Sequence, residues 1–162
     1  MRFLLGVGSN YLRARSLRKA VKLLSPLVTV SAFSGLYASK DQGGGGDYLN
    51  LVADVTTSLP PEELKKLLKD TEKQIGRLKN SPKQCVLDLD ILADNSVAGT
   101  GIHEDLQDKP YVIVPVCEVA GVDGYRRLTG DRGADPEQCR KFLRRRADPL
   151  QVRRYYSKYC SY

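Results

Sequence analysis

Two helical segments separate strand-like segments in the first part of the chain, and this order constrains the fold more than any other feature. Residues 2–8 form a short apolar run, and residues 28–37, 48–55 and 86–92 alternate between apolar and polar side chains. Short apolar runs and strict alternation of this kind predict strands. In residues 48–55 the alternation places Tyr48 and Asn50 on the face opposite the leucines.

The two helical segments carry apolar side chains at helical spacing. The first ends at Pro26, and the second begins near Pro60 and ends at Gly76. Proline and the acidic residues Glu62 and Glu63 suit the first turn of a helix. The order strand-helix-strand-strand-helix-strand predicts an α+β fold of the ferredoxin-like βαββαβ type. In that fold an antiparallel sheet has its helices packed on one face.

The C-terminal part of the chain differs in charge from the rest. Residues 1–121 hold 15 basic and 14 acidic side chains, whereas residues 122–162 hold 11 basic and 5 acidic ones. We therefore divide the chain into a main domain, residues 1–121, and a basic extension, residues 122–162, expected to pack on the same domain. Residues 111–116 resemble a further strand, and residues 137–146 predict a short basic helix.

Composition indicates a globular protein with reduced thiols. Hydrophobic residues make up 41% and charged residues 28% of the 162 positions, which is typical of neither disordered nor membrane-spanning chains. We expect no membrane segment and no secretory signal. The four cysteines are widely spaced, without a CxxC pair, which favours a cytoplasmic protein. We expect a monomer or weak dimer that does not bind nucleic acid.

Asp88 and Asp90 are the strongest candidates for chemistry. Residues two apart on a strand point to the same face, and the intervening Leu89 faces the core. Two neighbouring carboxylates repel each other unless a cation lies between them, and magnesium prefers such oxygen ligands. The spacing also fits an edge strand whose solvent face carries two acids, which is a common arrangement.

Three other signals are weak. The glycine-rich segment, residues 41–47, lacks a phosphate-loop pattern and favours a mobile lid. His103 is the only histidine, and a lone histidine is more often structural than catalytic. Arg77 and Lys79 lie at a helix end, where basic residues often only complement the helix dipole.

In their order along the chain, these segments resemble one family. The chain is similar to 6-hydroxymethyl-7,8-dihydropterin pyrophosphokinases over about residues 2–121. The resemblance rests on Gly6-Val7-Gly8-Ser9-Asn10, Ser34-Gly35-Leu36-Tyr37, Asp47-Tyr48-Leu49-Asn50, residues 72–77, Leu87-Asp88-Leu89-Asp90-Ile91-Leu92, His103 and residues 111–115. It implies a ferredoxin-like enzyme that moves pyrophosphate from ATP to a pterin alcohol and releases AMP.

The resemblance also implies roles for individual residues. Asp88 and Asp90 would hold two magnesium ions that bridge the ATP phosphates. The pterin would contact Ser39, Tyr48, Asn50 and Tyr111. ATP would contact Glu72, Ile91, Thr100, His103 and Lys109, with His103 on a phosphate oxygen and Arg77 in the catalytic loop.

The chain departs from the family at the positions that hold phosphate. Cys85 stands where the family has an arginine, Lys109 replaces another arginine, and a loop tryptophan is missing. Lysine keeps the charge but loses the bidentate geometry, and cysteine loses both. One hypothesis is an active enzyme in which Lys79 or Lys83 fills the arginine role. The alternative is a non-catalytic pterin- or nucleotide-binding relative with a depleted phosphate clamp.

Overall fold

The computed structural model of the protein describes residues 1–11, 13–40, 46–76, 86–94 and 101–156. A short 3-10 turn, Glu104–Leu106, precedes the longest helix of these ranges. In chain order the other elements are β1 (Arg2–Ser9), α1 (Arg13–Leu24), β2 (Thr29–Phe33), β3 (Leu36–Ser39), β4 (Tyr48–Thr56), α2 (Pro61–Ile75), β5 (Asp88–Asp94), α3 (Pro110–Thr129), α4 (Pro136–Arg140), β6 (Arg144–Ala147) and α5 (Pro149–Tyr156).

The strands form one antiparallel sheet. Its order is β5-β1-β4-β3-β6, and β2 pairs with β4 beside β3. β2 lies against residues 53–56 of β4, whereas β3 lies against residues 48–50. The predicted antiparallel α+β fold is confirmed, with β1 between β4 and β5.

Helices cover both faces of this sheet. Leu5, with α1 and α2, belongs to one buried core, and Leu4, with α3, belongs to the other. Neighbouring strand residues separate in this way because successive side chains point to opposite faces. The prediction that helices pack on one face describes α1 and α2, while the cover that α3 provides was not predicted.

The strand predicted over residues 111–116 is wrong, because these residues lie in α3. Lys109 caps the helix and Pro110 is its first residue, the position where proline is favoured because its missing N–H is not needed. Residues 112–117 are all buried. A fully buried apolar run has no periodicity that distinguishes a helix from a strand.

The strand predicted over residues 28–37 is interrupted at Ser34 and Gly35. The backbone N–H of Val52 donates to Ser34 Oγ at 2.8 Å, and the N–H of Ser34 donates to the Val52 carbonyl at 2.8 Å. These two bonds supply hydrogen-bond partners for the N–H and the carbonyl of Val52 on β4, at the break between β2 and β3. A Cβ atom at Gly35 would lie 2.8 Å from the carbonyl oxygen of Ala147, so the approach of β6 requires glycine there.

The helix predicted over residues 137–146 is wrong beyond Arg140. Residues 144–147 form β6 instead, which pairs with β3. Glu118 of α3 fixes this corner, because its carboxylate accepts from the Gly35 N–H at 2.7 Å, the Tyr37 hydroxyl at 2.7 Å and Arg145 at 2.8 Å.

The last helix, α5, also packs against the sheet side that α1 and α2 cover. Its Val152 and Tyr156 are buried in that core, and the Tyr156 ring lies 5.7 Å from the ring of Phe33. Residues 122–156 therefore add both a strand and core side chains to the fold. In the described ranges, no helix is both long and apolar enough to cross a membrane.

Candidate active site

One row of residues crosses five strands of the sheet. Asp88 on β5 lies opposite Gly8 on β1, and Gly8 lies opposite Asn50 on β4. The row continues through Tyr37 on β3 to Arg145 on β6. Residues in register project to the same face. A candidate pterin ligand and a candidate metal ligand are therefore separated by a single glycine.

Gly8 leaves open the space between these two polar side chains. A Cβ atom at this position would lie 3.2 Å from Oδ1 of Asn50, 3.9 Å from the Tyr48 ring and 4.0 Å from Cβ of Asp88. The three side chains thus surround one gap in the sheet surface. The sequence pattern GxGSN has a structural reason here, since position 8 is where a side chain would fill the gap.

Ser9, the next residue, holds the entrance to β5. It is fully buried, and its Oγ lies 2.6 Å from the carbonyl oxygen of Val86 and 2.9 Å from that of Tyr11. A hydroxyl between two carbonyls ties the end of β1 to the residues before Asp88. The motif therefore both opens the gap and fixes the strand beside it.

The candidate pterin residues on β3 and β4 contact each other. Asn50 is buried, and its side-chain amide donates to Ser39 Oγ at 2.9 Å. This bond orients the amide so that Oδ1 points towards the gap at Gly8. Tyr48 is half-buried on the same face, two residues earlier on β4. An aromatic ring beside an oriented amide suits a flat heterocycle with hydrogen-bonding edges.

Asp88 and Asp90 lie on the same side of β5 and are open to solvent to different degrees. The Asp88 side chain is 54% exposed and that of Asp90 is 33% exposed. Both carboxylates lie near Nζ of Lys69 on α2, at 4.0 Å for Asp88 and 3.5 Å for Asp90. The cation that two adjacent carboxylates require is present in the fold as a lysine.

Lys69 and Glu72 also bind the free backbone edge of β5. Lys69 Nζ donates to the Leu89 carbonyl at 3.2 Å, and the Leu89 N–H donates to Oε1 of Glu72 at 2.8 Å. The two side chains bond to each other at 2.7 Å. Burial lowers the pKa of Lys69, but the hydrogen bond to Glu72 and the charges of Asp90, Glu72 and Asp88 outweigh it and raise that pKa. Lys69 is therefore a firmly charged group.

Sequence reasoning missed Lys69. The available signal was its spacing: Lys69 and Glu72 are three residues apart on the helix that precedes the aspartate strand, so they share one helix face. Glu72, a candidate ATP ligand, is buried and already bonded to Lys69 and Leu89. Its evident contribution is to position β5.

The two carboxylates suit a magnesium ion that also binds substrate phosphates better than they suit a metal ion held by protein ligands alone. In the described ranges no group of three or more His, Cys, Asp or Glu side chains is placed to hold a metal ion. Magnesium in nucleotide sites is typically held by one or two carboxylates together with substrate phosphates and water. Asp88 and Asp90 supply that number of carboxylates.

His103 and Tyr111 meet at Asp105. The Asp105 N–H donates to Nδ1 of His103 at 3.3 Å, and the Tyr111 hydroxyl donates to the Asp105 carboxylate at 3.2 Å. With Nδ1 accepting, the proton of the neutral imidazole is assigned to Nε2, which is then a donor. Burial raises the pKa of Tyr111 well above its usual value, and the charges of Asp105 and Asp88 add to it.

The remaining candidate residues make no side-chain contact with these groups among the bonds found, or lie outside the described ranges. Ile91 is half-buried and packs against the core under α1 and α2. Lys109 caps α3 and pairs with Asp108 at 3.1 Å. Arg77, Thr100, Cys85, the lysines at 79 and 83 and residues 41–45 of the glycine-rich segment lie outside the described residues.

Comparison with known proteins identifies one family. The sequence model of the 7,8-dihydro-6-hydroxymethylpterin-pyrophosphokinase family matches residues 4–121. The chain is 31% identical over 125 residues to the 2-amino-4-hydroxy-6-hydroxymethyldihydropteridine pyrophosphokinase of Aquifex aeolicus, covering 71% of this chain and 78% of that protein. It is 38% identical over 112 residues to the enzyme of that name from Haemophilus influenzae, covering 63% and 68%. The Bacillus subtilis enzyme is 28% identical over 126 residues, covering 71% and 75%.

Proposed function

The chain belongs to the 7,8-dihydro-6-hydroxymethylpterin-pyrophosphokinase family, and we propose that it transfers pyrophosphate from ATP to 6-hydroxymethyl-7,8-dihydropterin in folate biosynthesis. The pterin hydroxyl oxygen attacks the β-phosphorus of ATP and loses its proton. The bond between the β-phosphorus and the bridging oxygen to the α-phosphate breaks, and AMP leaves. The observation that carries the proposal is the row Asn50, Gly8 and Asp88, which brings an oriented amide and a carboxylate to the two sides of one gap.

Asp88 and Asp90 are proposed to hold two magnesium ions with the ATP phosphates. When bound, magnesium neutralises phosphate charge and aligns the transferring group. The chain's own contribution is to keep both carboxylates on one side of β5. Lys69 and Glu72 do this through the Leu89 backbone between them.

The pterin is proposed to lie over Gly8, with its ring on Tyr48 and its edge read by Asn50. Asn50 is oriented by Ser39, so the amide is set before the substrate arrives. Tyr111 is proposed as the second aromatic contact, since its hydroxyl is fixed by Asp105. Rings held on both sides would select a flat substrate.

The phosphate contacts are proposed to come from His103 through Nε2 and from Lys109, with Arg77 and Thr100 completing the set. Glu72 and Ile91 are proposed to border the nucleotide. The three named relatives are all pyrophosphokinases, and nothing among the described residues favours the alternative of a non-catalytic binding protein.

We further propose a cytoplasmic protein that is a monomer or a weak dimer. The cytoplasmic location is supported by Cys117 and Cys139, which are both buried and are both free thiols. Burial raises the pKa of the Cys117 thiol to about 11, which keeps it protonated and unreactive at neutral pH.

The test is AMP release in a coupled assay with ATP, magnesium and the pterin alcohol. Asp88→Asn or Asp90→Asn should reduce the rate more than about a hundredfold and weaken magnesium-dependent ATP binding. The matched control is Asp70→Asn, because the Asp70 side chain is also 54% exposed but pairs with Lys73 on the outer part of α2. Its rate should equal that of the parent. Unchanged AMP release in both active-site variants, with native circular dichroism, would exclude the metal role.

A further inference from the structure

The ammonium group of Lys69 is surrounded by negative charge on three sides. Its Nζ lies 2.7 Å from the Glu72 carboxylate, 3.5 Å from that of Asp90 and 4.0 Å from that of Asp88. The Lys69 side chain is 41% exposed, whereas Glu72 is 7% exposed. The contact with Glu72 is therefore a short, sheltered bond, and the contacts with the two aspartates are longer and open to solvent.

This difference separates two roles for the same lysine. The bond from Lys69 to the Leu89 carbonyl and the bond from the Leu89 N–H to Glu72 hold α2 against β5. The contacts to Asp88 and Asp90 are longer and open to solvent, so they add little to this attachment. Their effect is electrostatic: one positive charge offsets part of the charge on the two candidate metal ligands.

We propose that Lys69 is a built-in counter-ion of the metal-binding carboxylates, which makes uptake of a divalent ion depend on nucleotide phosphate. The inference rests on the proposed metal role of Asp88 and Asp90. A divalent ion alone would sit beside a fixed positive charge, and the repulsion weakens its binding. Nucleotide phosphates add negative charge to the same place and remove that penalty. The site therefore admits the ion with the nucleotide rather than before it.

The size of the effect follows from the distances. Two unit charges about 4 Å apart near a protein surface interact appreciably, and salt reduces the interaction at an exposed site. A divalent ion bound by Asp88 and Asp90 would lie farther from Nζ than the carboxylate oxygens do. We therefore expect a change in affinity for the ion alone of about tenfold.

The experiment measures binding of Mn²⁺ alone to the full chain, by electron paramagnetic resonance of the free ion in low salt. Lys69→Met removes the charge and the donors, and Lys69→Gln removes the charge but keeps an amide donor for Glu72 and Leu89. Both should bind Mn²⁺ about tenfold more tightly than the parent. Lys69→Arg should restore the parent affinity to within about twofold.

Two controls test whether the change in Mn²⁺ affinity comes from the charge of Lys69 and requires Asp88. Lys73→Met removes a lysine of the same helix that pairs with Asp70 at 3.3 Å, and it should leave Mn²⁺ affinity unchanged. Adding Asp88→Asn to Lys69→Gln should abolish the gain, since the ion would lose a ligand. Thermal unfolding of each variant shows whether the attachment of β5 to α2 is kept. If Lys69→Met does not fold, Lys69→Gln still tests the proposal.

The results distinguish this inference from the function it rests on. Mn²⁺ affinity of Lys69→Gln equal to or weaker than that of the parent would overturn the counter-ion role and leave Lys69 as a clamp for β5. The metal role itself is read separately, by calorimetric binding of a non-hydrolysable ATP analogue in saturating magnesium. Equal binding to the parent and to Asp88→Asn would overturn the proposed metal site, and the counter-ion role with it.

Discussion

Asn50 and Asp88 lie opposite the same residue, Gly8, on the two strands that flank β1. The Asn50 amide is fixed by Ser39, and Asp88 is on a strand whose outer edge is held by Lys69 and Glu72. Because both strands are fixed in this way, neither can move aside to make room for a larger residue at position 8. The width of the gap at Gly8 is set by the sheet itself.

Gly8→Ala should weaken pterin binding and leave the fold intact. The added methyl would lie 3.2 Å from Oδ1 of Asn50, in the place where the pterin edge is proposed to lie. Overpacking of this kind typically costs about 1–3 kcal/mol, so we expect a Kd for the pterin about tenfold higher. Calorimetry with an ATP analogue and magnesium measures it.

Gly6→Ala is the matched control for that substitution. Its methyl would lie nearest to side-chain atoms of Leu92, at 3.2–3.3 Å, and so meets core atoms instead of the pterin residues. It should change the unfolding temperature more than the pterin Kd. Equal pterin Kd values for Gly8→Ala and the parent would show that the pterin does not lie over Gly8.

Tyr48→Ala should also raise the pterin Kd by about tenfold, because stacking on an aromatic ring contributes about 0.5–1.5 kcal/mol beyond the area that it buries. Tyr48→Phe keeps the ring and should stay within about twofold of the parent. Calorimetry of pterin and of ATP analogue binding compares the two ligands. A loss of nucleotide binding with pterin affinity untouched would assign Tyr48 to the other ligand.

Stability should fall at alkaline pH through Tyr37. Burial raises the pKa of Tyr37 to about 12, and its hydrogen bond to Glu118 adds to the shift. A tyrosine in the unfolded chain ionises near pH 10. The contribution is therefore complete below about pH 10 and is lost as the pH rises from there to about 12. At its largest the loss is about 2–3 kcal/mol.

Urea unfolding at several pH values measures this dependence. Tyr37→Phe removes the ionisation, so its free energy of unfolding should decline less steeply than that of the parent between pH 10 and 12. Tyr125 is also buried and has its pKa raised to about 12. It contributes equally to the parent and to Tyr37→Phe, so its effect cancels when the two unfolding free energies are subtracted. Parallel curves for the parent and Tyr37→Phe would contradict the assigned cause.

Local patterns were sufficient to predict the strands whose two faces carry different kinds of side chain. The alternation in β4 correctly separates Tyr48 and Asn50 from Leu51 and Ala53, because successive side chains of a strand point to opposite faces of the sheet. The same reasoning fails at residues 112–117, where every side chain is buried and no period remains. Pro110 after Lys109 was the local sign of a helix start.

The contacts that complete the site are long-range, so the sequence alone did not reveal them. Lys69 reaches Asp88 from a different element across 19 positions of the chain, and Glu118 reaches Gly35 across 83 positions. Pairings of this kind depend on how α2 and α3 pack on the sheet. By contrast, Asp88 and Asp90 were predicted together because strand geometry alone places them on one face.

The last prediction concerns Cys85, which stands where the family resemblance expects a phosphate-binding arginine. If the phosphate clamp is depleted at this position, Cys85→Arg should raise kcat, because each such contact contributes about 2–4 kcal/mol to transition-state stabilisation. Steady-state AMP release measures kcat, and Cys85→Lys, with the charge but without the bidentate geometry, should give a smaller gain.

The competing hypothesis is that Lys79 or Lys83 already fills the arginine role. A second cation at position 85 would then be redundant or repulsive, so Cys85→Arg would leave kcat unchanged or lower it. In that case Lys79→Ala or Lys83→Ala should reduce kcat, while the same lysine variants in a depleted clamp should not. The depleted clamp is therefore refuted by a loss of activity in either lysine variant together with no gain from Cys85→Arg. Parent-like rates in all three variants would refute both accounts and place the phosphate contact on other residues.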